Sequence, residues 1–166
     1  MGCRVWLRLM SAALCLLCWL AGQPALASDY PPPLSYSNAE LKGKDFSGQT
    51  LRAAEFSNAN LERANFSGAD LRGAIFSGSV ATDTNFQGAD FSTGMLDTAT
   101  FTRANLKDAI LADTILFRAR FEETDIAGAD FSGALLDGAQ VRRLCAIATG
   151  TNPKTGVDTR DSLGCR

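Results

Sequence analysis

Few side chains in this sequence are equipped for covalent chemistry. There are five cysteines and no histidine. The absence of His removes Ser-His and Cys-His nucleophile pairs, imidazole acid/base steps and His metal ligands. Of the 18 Asp and Glu residues, 15 fall between residues 39 and 143, so they read as parts of a repeat rather than as an acid/base pair with split pKa values. No nucleophile elbow, phosphate loop or zinc-ligand spacing is present. A net charge of -2 without basic blocks argues against sequence-independent phosphate binding. The expectation is no enzyme, no cofactor, no metal and no nucleic-acid partner.

Cys3, Cys15 and Cys18 belong to an N-terminal pattern of their own. Arg4 and Arg8 precede an apolar run, Leu9 to Ala21, broken by Gly22, Gln23 and Pro24. Ala25-Leu26-Ala27 follows as a small-x-small cleavage site. This predicts a signal peptide over residues 1–27, with Ser28 as the new N-terminus. The run is short of the roughly 20 residues of a membrane span, so an uncleaved anchor is the weaker alternative and no membrane attachment is expected after cleavage. Cys145 and Cys165 then remain, and two thiols in an exported chain predict one disulfide. It would close a loop of about 21 residues and contribute about 3 kcal/mol. Two roles stay open for it, a structural lid and a redox switch.

The elements that must position these residues follow from a period of five. From Leu41 to Val141, every fifth residue gives 21 positions, of which 18 are Leu or Phe. Phe46, Phe56, Phe66, Phe76, Phe86, Phe91, Phe101, Phe121 and Phe131 all fall in this register; Ile126 and Val141 vary it, and Ala81 is the small exception. Two residues before each centre, 19 of 21 positions are Ala, Gly, Ser or Thr, with Lys44 and Gln49 the exceptions. Gly often stands two residues after the centre, as at Gly43, Gly48, Gly68 and Gly138. Neither a helix of period 3.6 nor a strand of period 2 keeps such a set on one side. A coil that turns a corner every five residues does, with small residues fitting inside and Gly serving turns of positive φ. The sequence therefore predicts a solenoid with short strands and a dry central column. Ala81 leaves either a cavity or a bulge that brings Val80 inward.

Ala59-Asn60-Leu61, Ala69-Asp70-Leu71, Ala89-Asp90-Phe91, Ala104-Asn105-Leu106 and Ala129-Asp130-Phe131 resemble the pentapeptide-repeat family, whose loose pattern is A-(D/N)-L-x-x. The resemblance implies an all-β fold, a right-handed quadrilateral β-helix of about five coils. Four repeats per coil would stack residues 20 apart. Asp45, Asn65, Asn85, Asn105 and Asp125 would then form a polar column able to build an amide ladder. Glu55, Ile75, Met95, Ile115 and Leu135 would form another, with Phe117 two residues beyond Ile115. This is the candidate interaction stripe, meeting an unknown protein partner or a second copy as a homodimer, unless the C-terminal segment folds back over it. Arg63, Asp83, Arg103, Glu123 and Arg143 alternate in sign and predict a column of exposed ion pairs.

The expected organisation is a signal peptide at 1–27, a linker or cap at 28–38 with Tyr30, Pro31, Pro32, Pro33, Leu34 and Tyr36, the β-helix at 39–143 and a disulfide-linked cap at 144–166. Leu144 to Ile147 predicts one short helix, and Asp158-Thr159 caps another through Leu163, ending at Gly164. The ending, Leu144-Cys145-Ala146 through Asn152-Pro153 to Leu163-Gly164-Cys165, resembles the tails of thylakoid-lumen pentapeptide proteins of plants and cyanobacteria. The function expected is a non-enzymatic interaction or scaffold protein of the thylakoid lumen or periplasm. Some members of the family resemble B-DNA and bind DNA gyrase, so the alternative is a DNA mimic acting on a topoisomerase. That role needs acidic faces and a cytoplasmic location, and here the charges are mixed.

Overall fold

A computed structural model describes residues 33–166. The expected signal peptide and Tyr30, Pro31 and Pro32 of the expected N-terminal cap lie outside the described residues. From Ser35 to Leu135 the chain winds as a coil whose bridges join each residue to the one 20 later, all parallel. Four columns of bridges result. One runs through Ser35, Glu55, Ile75, Met95, Ile115 and Leu135, and another through Asp45, Asn65, Asn85, Asn105 and Asp125. Most faces are single bridged residues. Only Thr100–Thr102 (β1) and Arg120–Glu122 (β2) lengthen into three-residue strands. The corners explain this brevity, since they leave little extended backbone between turns.

The corners occupy the position two residues after each centre. Gly43, Gly48, Gly68 and Gly73 have positive φ there, and so do Ala53, Arg63, Asp83, Thr93 and Arg103. Gly relieves the left-handed strain but does not define the corner. Backbone hydrogen bonds between successive coils impose it even on the β-branched Thr93, at φ 60°.

The five-residue register points inward as the sequence predicts. Phe56, Phe66, Phe76, Phe86, Phe91 and Phe101 are sealed from solvent, Phe131 nearly so, and Phe46 is buried near the first coil. Rings one coil apart stack, Phe46 on Phe66 and Phe56 on Phe76 at 4.7 Å, Phe66 on Phe86 at 5.2 Å. Those spacings match the separation of strands in a ladder. The small residues two before each centre lie inside with them, and the two exceptions, Lys44 and Gln49, are exposed. Gly94 shows why size matters: a Cβ there would lie 2.8 Å from the Phe91 carbonyl oxygen and 3.2 Å from a Leu96 methyl. Val80 stays outward at 45% exposure while Ala81 is fully buried, so no bulge brings Val80 in. Phe86 and Phe91, with ring centres 5.2 Å apart, stand in the same coil as Ala81.

Both ends differ from expectation. Tyr36 already occupies the register, stacked on Phe56 at 4.9 Å, with Asn38 at the corner. The repeat thus starts one unit before Leu41. At the other end the helix α1, Gly138–Ile147, begins where the sequence predicts one more repeat. Asp137 accepts from the N–H groups of Ala139 and Gln140, and Gln140 Oε1 accepts from Asp137 N at 2.7 Å. That reciprocal cap starts a helix more strongly than Gly138 starts a corner. Val141 and Arg143 therefore leave the solenoid register. Phe121, expected in the core, is only half-buried, because no further coil follows to close over it. Its ring still stacks on Phe101 at 5.2 Å. The helix α2, Thr159–Ser162, is capped by Asp158 and followed by Gly164 at φ 64°.

Candidate interaction surface

The polar column forms the amide ladder its residue types predict. Asn65, Asn85 and Asn105 each donate through Nδ2 to the Oδ1 of the residue one coil earlier, Asp45, Asn65 and Asn85, at 3.1 Å. Each of these oxygens, and Asn105 Oδ1 as well, also accepts from the backbone N–H two residues on, from Ser47, Ser67, Gln87 and Lys107 respectively. The Ser47 N–H and hydroxyl, with a lesser contribution from the Asn65 amide, hold the Asp45 carboxyl below its ordinary range against the opposing effect of desolvation. Each Asn of the column thus donates one amide N–H and accepts at Oδ1 within the coil, which is a structural role. Of the alternating column, only Arg103 to Asp83 closes, at 2.8 Å. The Arg103 hydrogen bond holds the Asp83 carboxyl below its ordinary range. Arg63 instead meets Glu62 at 3.0 Å, and Arg143 has moved onto α1.

The apolar stripe stands in one bridged column, as expected. Met95 is 41% exposed, Leu135 49% and the neighbouring Phe117 47%, while Ile75 and Ile115 are half-buried beside them. A shallow groove of about 540 Å³ opens here between Met95, Ile115 and Phe117, with Asp97, Arg118 and Asp137 at its edges. The C-terminal segment takes a different path. Gly128 N donates to the Thr149 carbonyl at 2.8 Å, Lys154 Nζ to Gly88 O at 2.7 Å, and Ser162 Oγ accepts from Phe131 N at 3.1 Å. Those contacts lie on the corner of Gly88, Asp108 and Gly128 and on the Phe131 face, away from Met95.

Two lid residues were not legible as functional from the sequence. Gln140 Nε2 donates to the carbonyls of Leu116 and Ala119 at 2.8 and 2.7 Å, the first of which also accepts from Ala119 N. Asn152, 1% exposed, donates through Nδ2 toward the carbonyls of Asp108, Ala109 and Gly128 and accepts from the N–H groups of Lys154 and Thr155. An Asp-x-x-Gln capping signal marks Gln140; Asn152 carries only the signature of an ordinary Asn-Pro turn. Cys145 and Cys165 are joined, with Cα atoms 5.6 Å apart. The bond ties α1 to the chain beyond α2, and Arg160 of α2 itself also reaches the Cys145 carbonyl at 2.9 Å.

Asp130 sits under this lid, 2% exposed. Burial pushes its carboxyl up, but the Ser132 hydroxyl and N–H, at 2.6 and 2.9 Å, and the Thr155 side chain more than offset this and hold it below its ordinary value. A carboxylate with a depressed folded pKa adds stability above its unfolded value of about 3.9. That stability is lost as pH falls through the lower folded value. The expected result is a melting temperature that drops below about pH 4, with a shallower drop in Asp130→Asn. Parallel curves for the two proteins would show that Asp130 is not the group responsible.

A rigid coil with one apolar face, one face of laddered amides and a pinned lid defines a solenoid that presents surfaces. The family model of pentapeptide repeats matches residues 37–68, 59–93 and 114–145. A pentapeptide repeat protein from the Arabidopsis thaliana thylakoid lumen superimposes with a TM-score of 0.78 at 38% identity, over 79% of this chain and 91% of that one. The chain belongs to the pentapeptide-repeat family. The Arabidopsis thylakoid lumenal protein TL20.3 is 69% identical over 29 residues, which span 18% of this chain and 10% of that relative. HetL, a pentapeptide repeat protein involved in heterocyst differentiation regulation in the cyanobacterium Nostoc, is 26% identical with a TM-score of 0.59, over 61% of this chain and 48% of its own.

Proposed function

We propose that this chain is a non-enzymatic interaction protein of an exported compartment, the thylakoid lumen or periplasm, and that it holds a protein partner against the Ile75–Leu135 stripe. The carrying observation is the exposure of Met95, Phe117 and Leu135 on one face of a coil whose backbone is hydrogen-bonded from turn to turn. Contiguous apolar surface on a rigid scaffold is removed from water by association. The similarity to a lumenal protein supports the compartment. DNA mimicry would need continuous acid. Here Asp70 is paired with Arg52 and Arg72, and Asp83 with Arg103. The test is affinity capture from lumenal extract with the parent and with Ile115→Asp. A protein retained by the parent and lost by the variant is expected; equal capture by both would remove the stripe from the account.

A further inference from the structure

We infer that the face carrying Met95, Ile115, Phe117 and Leu135 is built for a basic amphipathic helix of the partner, lying along the solenoid axis. This rests on the docking reading above and adds the chemistry of the occupant. Three observations lead to it.

The first is charge. Asp97 and Asp137 stand one coil before and one coil after Phe117 in its own column, and both edge the groove. Asp113 stands at the corner on the opposite side, two residues before Ile115. Asp97 accepts only from Ser77 Oγ, at 2.6 Å, and Asp137 caps α1. Among the described residues none of the three carboxylates forms an ion pair. Elsewhere on the solenoid Glu62, Asp70, Asp83 and Asp90 each have a Lys or Arg within 4.0 Å, while Glu40, Asp45, Asp108, Glu122, Glu123 and Asp125 are as unpaired as these three, so what distinguishes this face is the apolar strip that its carboxylates border. Arg118, at the far corner, is the single cation edging the groove. An apolar strip bordered by unpaired carboxylates is complementary to an apolar strip bordered by Lys and Arg.

The second is spacing. The rows of Met95, Ile115 and Leu135 repeat at the strand separation of about 4.8 Å. A helix offers apolar residues at alternating steps of three and four, a mean rise of about 5.3 Å. Over three rows the drift is about 1 Å, within the reach of Met and Leu side chains. An extended strand offers like-facing residues about 6.7 Å apart and would slip by nearly a side chain at the third row. The rows therefore favour a helix parallel to the axis.

The third is shape. Met95, Ile115 and Phe117 line a shallow groove, with Leu135 exposed one coil beyond Ile115, and helix-in-groove recognition uses an apolar face of two to three turns.

The experiment uses the intact protein and two labelled 14-residue peptides with the same Leu stripe, one flanked by Lys and one by Glu, read by fluorescence anisotropy. The Lys peptide is expected to bind at least tenfold tighter, with the preference shrinking as salt is raised. Asp97→Lys with Asp113→Lys should reverse it, and Met95→Asp should weaken both peptides, circular dichroism confirming that each variant is folded. Equal binding of the two peptides overturns the basic helix. If extract capture still depends on Ile115 in that case, the docking face survives and only its occupant was misjudged. A dimer that binds neither peptide and becomes monomeric in Ile115→Asp overturns the inference in favour of a second copy. Extract capture indifferent to Ile115 would sink the docking reading beneath it.

Discussion

Phe86→Ala should lower the unfolding free energy by about 3 to 5 kcal/mol, the largest loss expected for a single side chain in the column. The Phe86 ring is sealed from solvent and lies 5.2 Å from both Phe66 and Phe91, and 5.9 Å from Phe101. Its own coil already carries Ala81, so the space left by the ring has no bulky neighbour at that corner to collapse into it. Phe46→Ala is the comparison. Phe46 lies near the first coil, retains slight exposure and stacks one coil onward only on Phe66. Its loss should be clearly smaller, because solvent and neighbouring chain can fill the gap. Urea midpoints followed by circular dichroism would rank the two. Equal losses would mean that the column does not behave as close-packed rings with a soft end.

The other large effect belongs to the lid. Asn152→Ala removes the donor that reaches three carbonyls and the acceptor for two N–H groups. Buried polar groups left unpaired cost about 1 to 3 kcal/mol each. Several of these have further partners, so the net loss expected is about 3 kcal/mol. That rivals the disulfide, also worth about 3 kcal/mol for its loop length, though the two act differently. The disulfide restrains the unfolded chain, whereas Asn152 holds the folded lid against Asp108 and Gly128. Hydrogen exchange separates them. Asn152→Ala should raise exchange at Gly128 N, which donates to Thr149 O, with the disulfide intact. Unchanged protection there would show that the lid is seated by the covalent bond alone.

The core was legible because one rule generated it. A side chain facing an axis every fifth residue needs no knowledge of the rest of the chain, and the Asn ladder and the apolar column follow once four repeats make a coil. The ends obeyed local rules instead. Tyr36 is neither Leu nor Phe and follows three prolines, which disguised a repeat unit as a linker. At Gly138 two signals competed, and a capping box outweighed the fit of Val141 to the register. Phe121 illustrates a limit of any repeat argument: its type is right, but burial depends on what comes after it. Asn152 could not be weighed from sequence, since its partners lie up to 44 residues away.

Two lengths govern this architecture, and they tolerate change differently. Adding or deleting five residues would keep the interior packed yet rotate everything beyond that point by a quarter turn. Met95 would then sit out of line with Ile115, and the amides would lose their rungs. Adding a block of twenty would lengthen the rod and leave each face continuous. Descendants of this gene that retain the same contacts should therefore differ in size by whole coils, and a designer wishing to extend the grip on a longer partner should duplicate in the same unit.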